Sequence, residues 1–596
     1  VDVMASHLIF ELFNSLAPVM VIGALLSLTF YLPEQNGFFT ESSVKSKRWL
    51  LLSLSIWAIA SLGNLLSTLA YIFETSILNI LDYMTIRSYV SQTALGKLQF
   101  IQLILIVCVA IFSRLIKKTG GSLILLVFTM IALSAPLFQS HSSQSGSHGL
   151  AIGSIIIHVF AISFWIGSVI SLLWSDSSQR EALISRISRV ATWSAVAVLF
   201  SGGVNSWTRL RLSQDWFTPY GLGIAIKIVL SLLVIIVARR ISKEFNSSKF
   251  ILIELMIFFI IVSIGALIDR VTPVSLENVP YDPIREIVGI SMPAEPTLQR
   301  VLFSYEASGL ILGLLIFITA LYIRGVIALT QRGDNWPIGR TISFAIGISA
   351  IDYATSGGLG LYSHFSFQYH MIAHMVISMI APIFLILSAP ITLALRTLPI
   401  AREKNERGIR GLLLSILHSR STGIWTHPVT ALAIFDGSLF ALYFTPAFGN
   451  LMGSHFGHIF MTLHFLGAGL LFFFVIVGVD PNPRQVHHLV RIVILFAAMS
   501  IHAFFSIALM SSTTLIDNGY YAALTRPWAT DLLADQRVGA AIGWAMGEVP
   551  IILALIATFI QWMRSDAREA KRQDRRSEVD LAAYNQYLEE LHKRNE

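Results

Sequence analysis

The chain has 596 residues, of which 55% are hydrophobic and only 13% charged, and it carries a net charge of +7. Soluble globular chains carry about 25% charge; this composition, with its repeated uncharged runs of roughly 20 residues, excludes an ordinary soluble protein and indicates an all-α polytopic membrane protein. An outer-membrane barrel needs alternating segments of about 10 residues, which are not found, and the basic residues sit in loops between apolar runs, which fits membrane topology and not a nucleic-acid partner.

Hydropathy predicts about 15 transmembrane helices. In chain order they fall at 12–32, 48–73, 95–116, 121–137, 150–174, 187–205, 221–240, 249–267, 303–330, 338–354, 368–395, 427–446, 455–479, 488–512 and 538–564. The first run lacks a basic leader, so it is expected to stay as a span. The third holds the single cysteine, Cys108, as a small core residue, and one cysteine excludes a disulfide framework and any CxxC motif. The stretch "RGVIALTQRGDNWPIGR" breaks the apolar pattern with Pro, Gly and charge, so two helical bundles are expected, 1–330 and 331–564. Residues 565–596 read as a charged, amphipathic, cytoplasmic helical tail.

An odd number of spans puts the termini on opposite sides. The tail "RSDAREAKRQDRRSEVD" is basic, and "KSKRW", "RLIKK", "RRISKEF" and "REKNERGIRG" fall on its side, where most of the 42 Lys and Arg lie. The positive-inside rule then makes the C-terminus cytoplasmic and the N-terminus external. With that orientation His141 and His148 lie in an external loop, and His364, His370, His374, His455 and His458 lie at or just below the external surface. His418, His427, His487, His488 and His592 fall on the inner side or at its edge.

Helical rise places the buried polar residues in depth. His374 comes out about 9 Å in from the external end of its span, His464 about 13 Å, and His502, Asp436 and Glu548 about 15 Å. Polar side chains in a membrane turn inward and find partners, so five spans are expected to bring these groups to one layer. His370 and His374 share a helix face at i,i+4. Imidazole beside thioether, here Met371 and Met375, is a soft-leaning donor set that suits copper, Cu(I) above all. Asp436 and Glu548 are expected to balance charge or carry protons.

The stretches "YSHFSFQYHMIAHMVISMIAPIFLILSAP", "HPVTALAIFDGSLFALYF", "MGSHFGHIFMTLHFLGAG" and "RPWATDLLADQRVGAAIGWAMGEVP" resemble the CtaG-type cytochrome c oxidase assembly factors over about residues 335–585. That resemblance implies assembly of a haem-copper oxidase, with copper inserted into its catalytic subunit. The family's His-x3-His-Met falls on His370, His374 and Met375, and its Ser-His-x-x-His on His455 and His458.

In the first bundle His158 lies about 12 Å below the external end of its span and Lys227 about 9 Å inside the next but one. The stretches "HVFAISFWIGS", "SGGVNSWTRL" and "YGLGIAIKIVL" resemble the CopD copper-resistance and copper-uptake membrane proteins over about residues 90–330. That resemblance implies copper movement across a bacterial inner membrane, with His141 and His158 as the residues to carry over and Asn205 and Trp207 behind them.

The combined expectation is a non-enzymatic, multi-pass inner-membrane fusion that acquires copper and delivers it to an oxidase subunit. Its metal residues are His370, His374, Met375, His455, His458, His464, His502, His141 and His158. Two alternatives stay open. Paired histidines on facing spans, His464 and His502, suit a b-type haem and an electron carrier. A metal-free structural subunit of a respiratory complex also fits the composition.

Overall fold

The protein is described from a computed structural model that covers residues 3–139, 148–175, 180–241, 248–268, 271, 282–400, 408–482, 484, 486–528 and 530–595. It is an all-α polytopic membrane protein. Among the described residues the one sheet is a hairpin of two-residue strands, β1 (Glu34–Gln35) and β2 (Phe38–Phe39). Among the described residues thirteen helices are long and apolar enough to cross a membrane, and all thirteen coincide with expected spans.

The first half contains α1 (Val3–Leu26), α2 (Ser43–Ile72), α3 (Ala94–Leu115), α4 (Thr119–Ser134), α5 (His148–Ser171), α6 (Arg180–Leu210), α7 (Pro219–Ile241) and α8 (Ser248–Ile268). Their shared core runs from Val21, Ile22 and Leu25 on α1 through Trp57 on α2 and Trp165 on α5 to Phe258 on α8. α1 and α5 meet backbone to backbone, because a Cβ on Gly23 would collide with the Gly167 carbonyl. Small residues allow such approaches where hydrophobic contrast with lipid gives no drive for association.

α9 (Gly309–Gln331) lies between the halves, touching α5 through Gly153 and Gly309 and the second half through Gly325 and Leu393. It starts later than expected. Residues 305–308 are extended, with Glu306 N donating to Ser356 O at 2.7 Å, so they cannot join the helix.

The second half continues with α10 (Ile338–Thr355), α11 (Phe367–Met375), α12 (Ala381–Leu387), α13 (Pro390–Thr397), α14 (Pro428–Phe435), α15 (Gly437–Tyr443), α16 (His455–Val477), α17 (His488–Met510) and α18 (Leu532–Asn595). The remaining two expected spans are helical as well. One is α10, of 18 residues; the other breaks at Asp436 into α14 and α15. α18 joins the last span and the tail in one helix of 64 residues. His427 and His487 are accounted for locally, since each accepts an N–H two residues on and caps the following helix.

The expected span 368–395 is the most interrupted. A π turn, Val376–Ile380, separates α11 from α12. Pro382 has no N–H to give, and its ring would clash with the carbonyl four residues earlier, that of Ser378. The wider turn relieves this clash. It also presents the Ser378 carbonyl to α16, where a Cβ on Gly469 would strike it. Ala389 then adopts a left-handed conformation (φ 50°), and the Asp480 carboxylate accepts Ile391 N at 3.2 Å and Thr392 N at 2.7 Å to start α13.

Candidate metal-transfer site

α11 carries His370 and His374, and its placement is fixed from a distant part of the chain. Its first N–H groups have no partners within the helix. The Asp535 carboxylate, on α18, supplies them, accepting Phe367 N at 3.0 Å, Gln368 N at 3.2 Å and Ser366 Oγ at 2.8 Å. A negative charge there also suits the helix dipole. Arg526 holds Asp535 in turn (Nη1 to Oδ2, 3.1 Å), donates to the Phe365 carbonyl, and lies over the rings of Tyr521 and Trp528. Both charged groups are buried; Asp535 is satisfied from several sides, while Arg526 Nε and Nη2 have no hydrogen-bond partner among the described residues.

The two imidazoles of α11 are buried, His370 fully and His374 at 2% exposure. Their ring centroids are 4.1 Å apart. His370 Nε2 is 2.9 Å from the Tyr443 hydroxyl, at the end of α15. The Nδ1 atoms of both rings lack a hydrogen-bond partner. His458, on α16, stands 6.5 Å from His370, and its Nε2 lacks a partner too. The His364 ring lies tilted against His458, centroids 4.0 Å apart. The four rings thus form a connected row drawn from α11, the turn before it and α16. Met371, Met375 and Met379 are buried in the same core, with Met461 of α16.

Buried polar nitrogens are nearly always bonded, and each exception calls for an explanation. Three orphaned imidazole nitrogens within one row, among buried thioethers, fit a soft cation that binds N and S donors. The donors come in pairs: among the described residues no three His, Cys, Asp or Glu side chains are arranged to hold one ion together.

The other expected site residues have their own settings. His455 begins α16 and packs against Phe138 of the first half at 6.3 Å. His464 is half-buried beside Phe465, whose ring also meets His374 edge-on at 4.8 Å. His502 is fully buried elsewhere: Nδ1 is 3.5 Å from Asp436 Oδ1 and Nε2 is 3.4 Å from the Gly543 carbonyl. Gly547 leaves room for that ring, since a Cβ there would collide with it. Glu548 accepts from Trp544 on its own helix. In the first half His158 Nδ1 is 3.2 Å from Ser201 Oγ. His141 lies outside the described residues.

The single layer expected from depth therefore resolves into groups. Rise along a helix gives depth but not azimuth, so His502 with Asp436, and Glu548 with Trp544, share the level without joining the row. Sequence reasoning placed His364 near the surface without counting it a ligand, and it missed Tyr443 and the Arg526–Asp535 pair. For His364 the signal was present, six residues before His370 in "SHFSFQYH".

Comparison with known proteins bears on both halves. Residues 320–565 match the cytochrome c oxidase caa3 assembly factor family (Caa3_CtaG), and residues 8–150 match the copper resistance protein D-like N-terminal domain. The chain thus carries a match to each of these two families in one polypeptide. The caa3 match contains the whole histidine row. The copper-resistance match covers the first part of the chain, where the resemblance was read less clearly; it includes His141 but ends before His158 and contains none of the three stretches that carried the resemblance. Uncharacterized proteins of Mycobacterium bovis and Mycobacterium tuberculosis are each 39% identical over 309 residues, and one of Mycobacterium leprae is 38% identical over the same length. Each alignment covers 51% of this chain and 47% of the relative, so the chain spans about half the length of these relatives. No solved structure matches.

Proposed function

We propose that this protein acquires copper and delivers it to a haem-copper oxidase during assembly, inserting it into the catalytic subunit at the outer face of a bacterial cytoplasmic membrane. It acts as a carrier and not as an enzyme. In this reading the first half takes copper in by way of His141 and His158. The second half holds it as cargo at His370, His374 and Met375 and hands it on through His458, His364 and His455. Cu(I) is the form a mixed imidazole and thioether set prefers. The N-terminus faces outward and the basic tail inward, in keeping with the distribution of Lys and Arg.

The observation that carries the reading is the His370–His374 pair, buried, 4.1 Å apart, with both Nδ1 atoms unpartnered. Release matters as much as capture for a carrier, and exchange between paired donors along a row gives both. The haem alternative is disfavoured at His502, whose Nε2 lies 3.4 Å from the Gly543 carbonyl and whose ring is walled by Gly547 of α18.

The test is made in cells. A strain carrying His370→Ala with His374→Ala makes the oxidase polypeptide but loads it poorly, so oxidase copper content and activity fall together. Added copper in the medium restores part of the activity. Oxidase with a full copper complement from that strain would contradict the proposal, and a haem Soret band in the purified protein would favour the electron-carrier alternative.

A further inference from the structure

His464 lies about 13 Å in from the outer end of α16, and polar side chains at such depth turn into the bundle and find partners. His158 meets Ser201 in this way, and His502 meets Asp436. His464 does not. It is only half-buried, and among the described residues no hydrogen-bond donor or acceptor meets its ring. The ring stacks on Phe460 at 6.1 Å and meets Phe465 edge-on at 5.5 Å. Lipid tails offer an imidazole no partner, and so short a side chain does not snorkel to the headgroups from about 13 Å.

The side of α16 that bears His464 is open. Phe460, Leu463, His464 and Gly467 follow one another at i, i+3, i+4 and i+7, the spacing of a single helix face. Phe460 and Leu463 are 51% and 41% exposed, and a Cβ at Gly467 would meet nothing within 4 Å. At Gly23, Gly309 and Gly469, where helices of this protein do meet, a Cβ would collide with backbone. The other sides of α16 are in use. Met461, Phe465 and Phe472 enter the core of the second half, and Ile459 clusters with Phe138 and Ile156 of the first.

We infer that this face of α16 is where a transmembrane helix of the oxidase catalytic subunit docks. The inference rests on the delivery role proposed above and adds where the partner sits. A helix supplies both things the face lacks: a polar side chain for the His464 ring at matching depth, and a backbone near enough to fill the space over Gly467, as small residues permit between helices in lipid. The same helix carries His455 and His458 at its outer end, so a partner lying along α16 comes close to the residues that hand on the cargo. His464 then acts as a contact with the partner and not as a ligand of the row.

Photo-crosslinking in intact cells tests this. A benzophenone side chain at Leu463 is expected to join the full-length protein to the oxidase catalytic subunit, and one at Ile59, exposed on α2 of the first half, is not. Gly467→Leu adds bulk where this protein leaves space, so the purified variant keeps its melting temperature and its bound copper. In cells the same variant lowers the Leu463 crosslink about tenfold, because the bulk meets the partner. His464→Ala weakens the crosslink as well, and His464→Asn restores it in part, since an amide still donates and accepts but is a poor Cu(I) ligand. A Leu463 crosslink to a second copy of this chain, no protein crosslink there, or an oxidase crosslink unchanged by Gly467→Leu would overturn the inference. The delivery role fails separately, by full copper loading of the oxidase in the His370→Ala/His374→Ala strain, and a Leu463 crosslink to the oxidase would uphold the docking face even then.

Discussion

Asp535 accepts the backbone N–H of Phe367 across 168 residues of chain, and so the last long helix caps the short helix that carries His370 and His374. The cap is charged and itself held by Arg526, so the orientation of the two imidazoles depends on an ion pair that touches neither of them. Removing one member of a buried pair leaves the other charge uncompensated and costs about 3–5 kcal/mol. Asp535→Ala is therefore expected to lower the melting temperature in detergent and to weaken copper binding in the same sample. Asp535→Asn keeps part of the hydrogen bonding and should fall between the two. If Asp535→Ala melts as the unmodified protein does, the cap is not structural.

Tyr443 gives a cleaner separation of stability from chemistry. Its hydroxyl is the protein partner of His370 Nε2. Tyr443→Phe keeps the ring packed against Phe448 and removes one hydrogen bond, a loss of about 1 kcal/mol. The fold should survive while the freed nitrogen changes copper affinity, measured by competition with a Cu(I) chelator. An affinity within twofold of the unmodified protein would remove Tyr443 from any part in orienting the ring.

Gly469 tests the π turn. Alanine at this position drives a methyl group into the Ser378 carbonyl, between two packed helices, and overpacking of this sort costs about 1–3 kcal/mol. Because the turn directly follows Met375, Gly469→Ala should also alter the copper ligand environment, visible in X-ray absorption. An unchanged spectrum with lowered stability would confine the effect to packing.

How much of this was legible in the sequence divides by physical cause. Runs of apolar residues made thirteen of the expected spans recognisable, because span length follows bilayer thickness. The interrupted span after Phe367 was read as one helix, although Pro382 and Pro390 both punctuate it. His370 and His374 were readable as a pair, since i,i+4 is a local rule. The Asp535 cap, the Tyr443 contact and the placement of His502 beside Asp436 are long-range, and neither spacing nor depth contains the azimuth that decides them.

Asp436 and His502 should behave as a coupled unit, buried together at 1% and 0% exposure. A double-mutant cycle with Asp436→Asn and His502→Gln is expected to return a coupling of about 0.5–3 kcal/mol in stability. Additive losses would mean that the two side chains share a level in the membrane and nothing more.

The central claim is that the imidazole pair on α11 binds copper. Copper content of the purified protein after loading with Cu(I) and removal of excess, compared with that of His370→Ala/His374→Ala at matched secondary structure, tests it most directly. The account predicts bound copper in the unmodified protein and loss of at least one equivalent in the double variant. Equal copper in both proteins, or none in either, would contradict it.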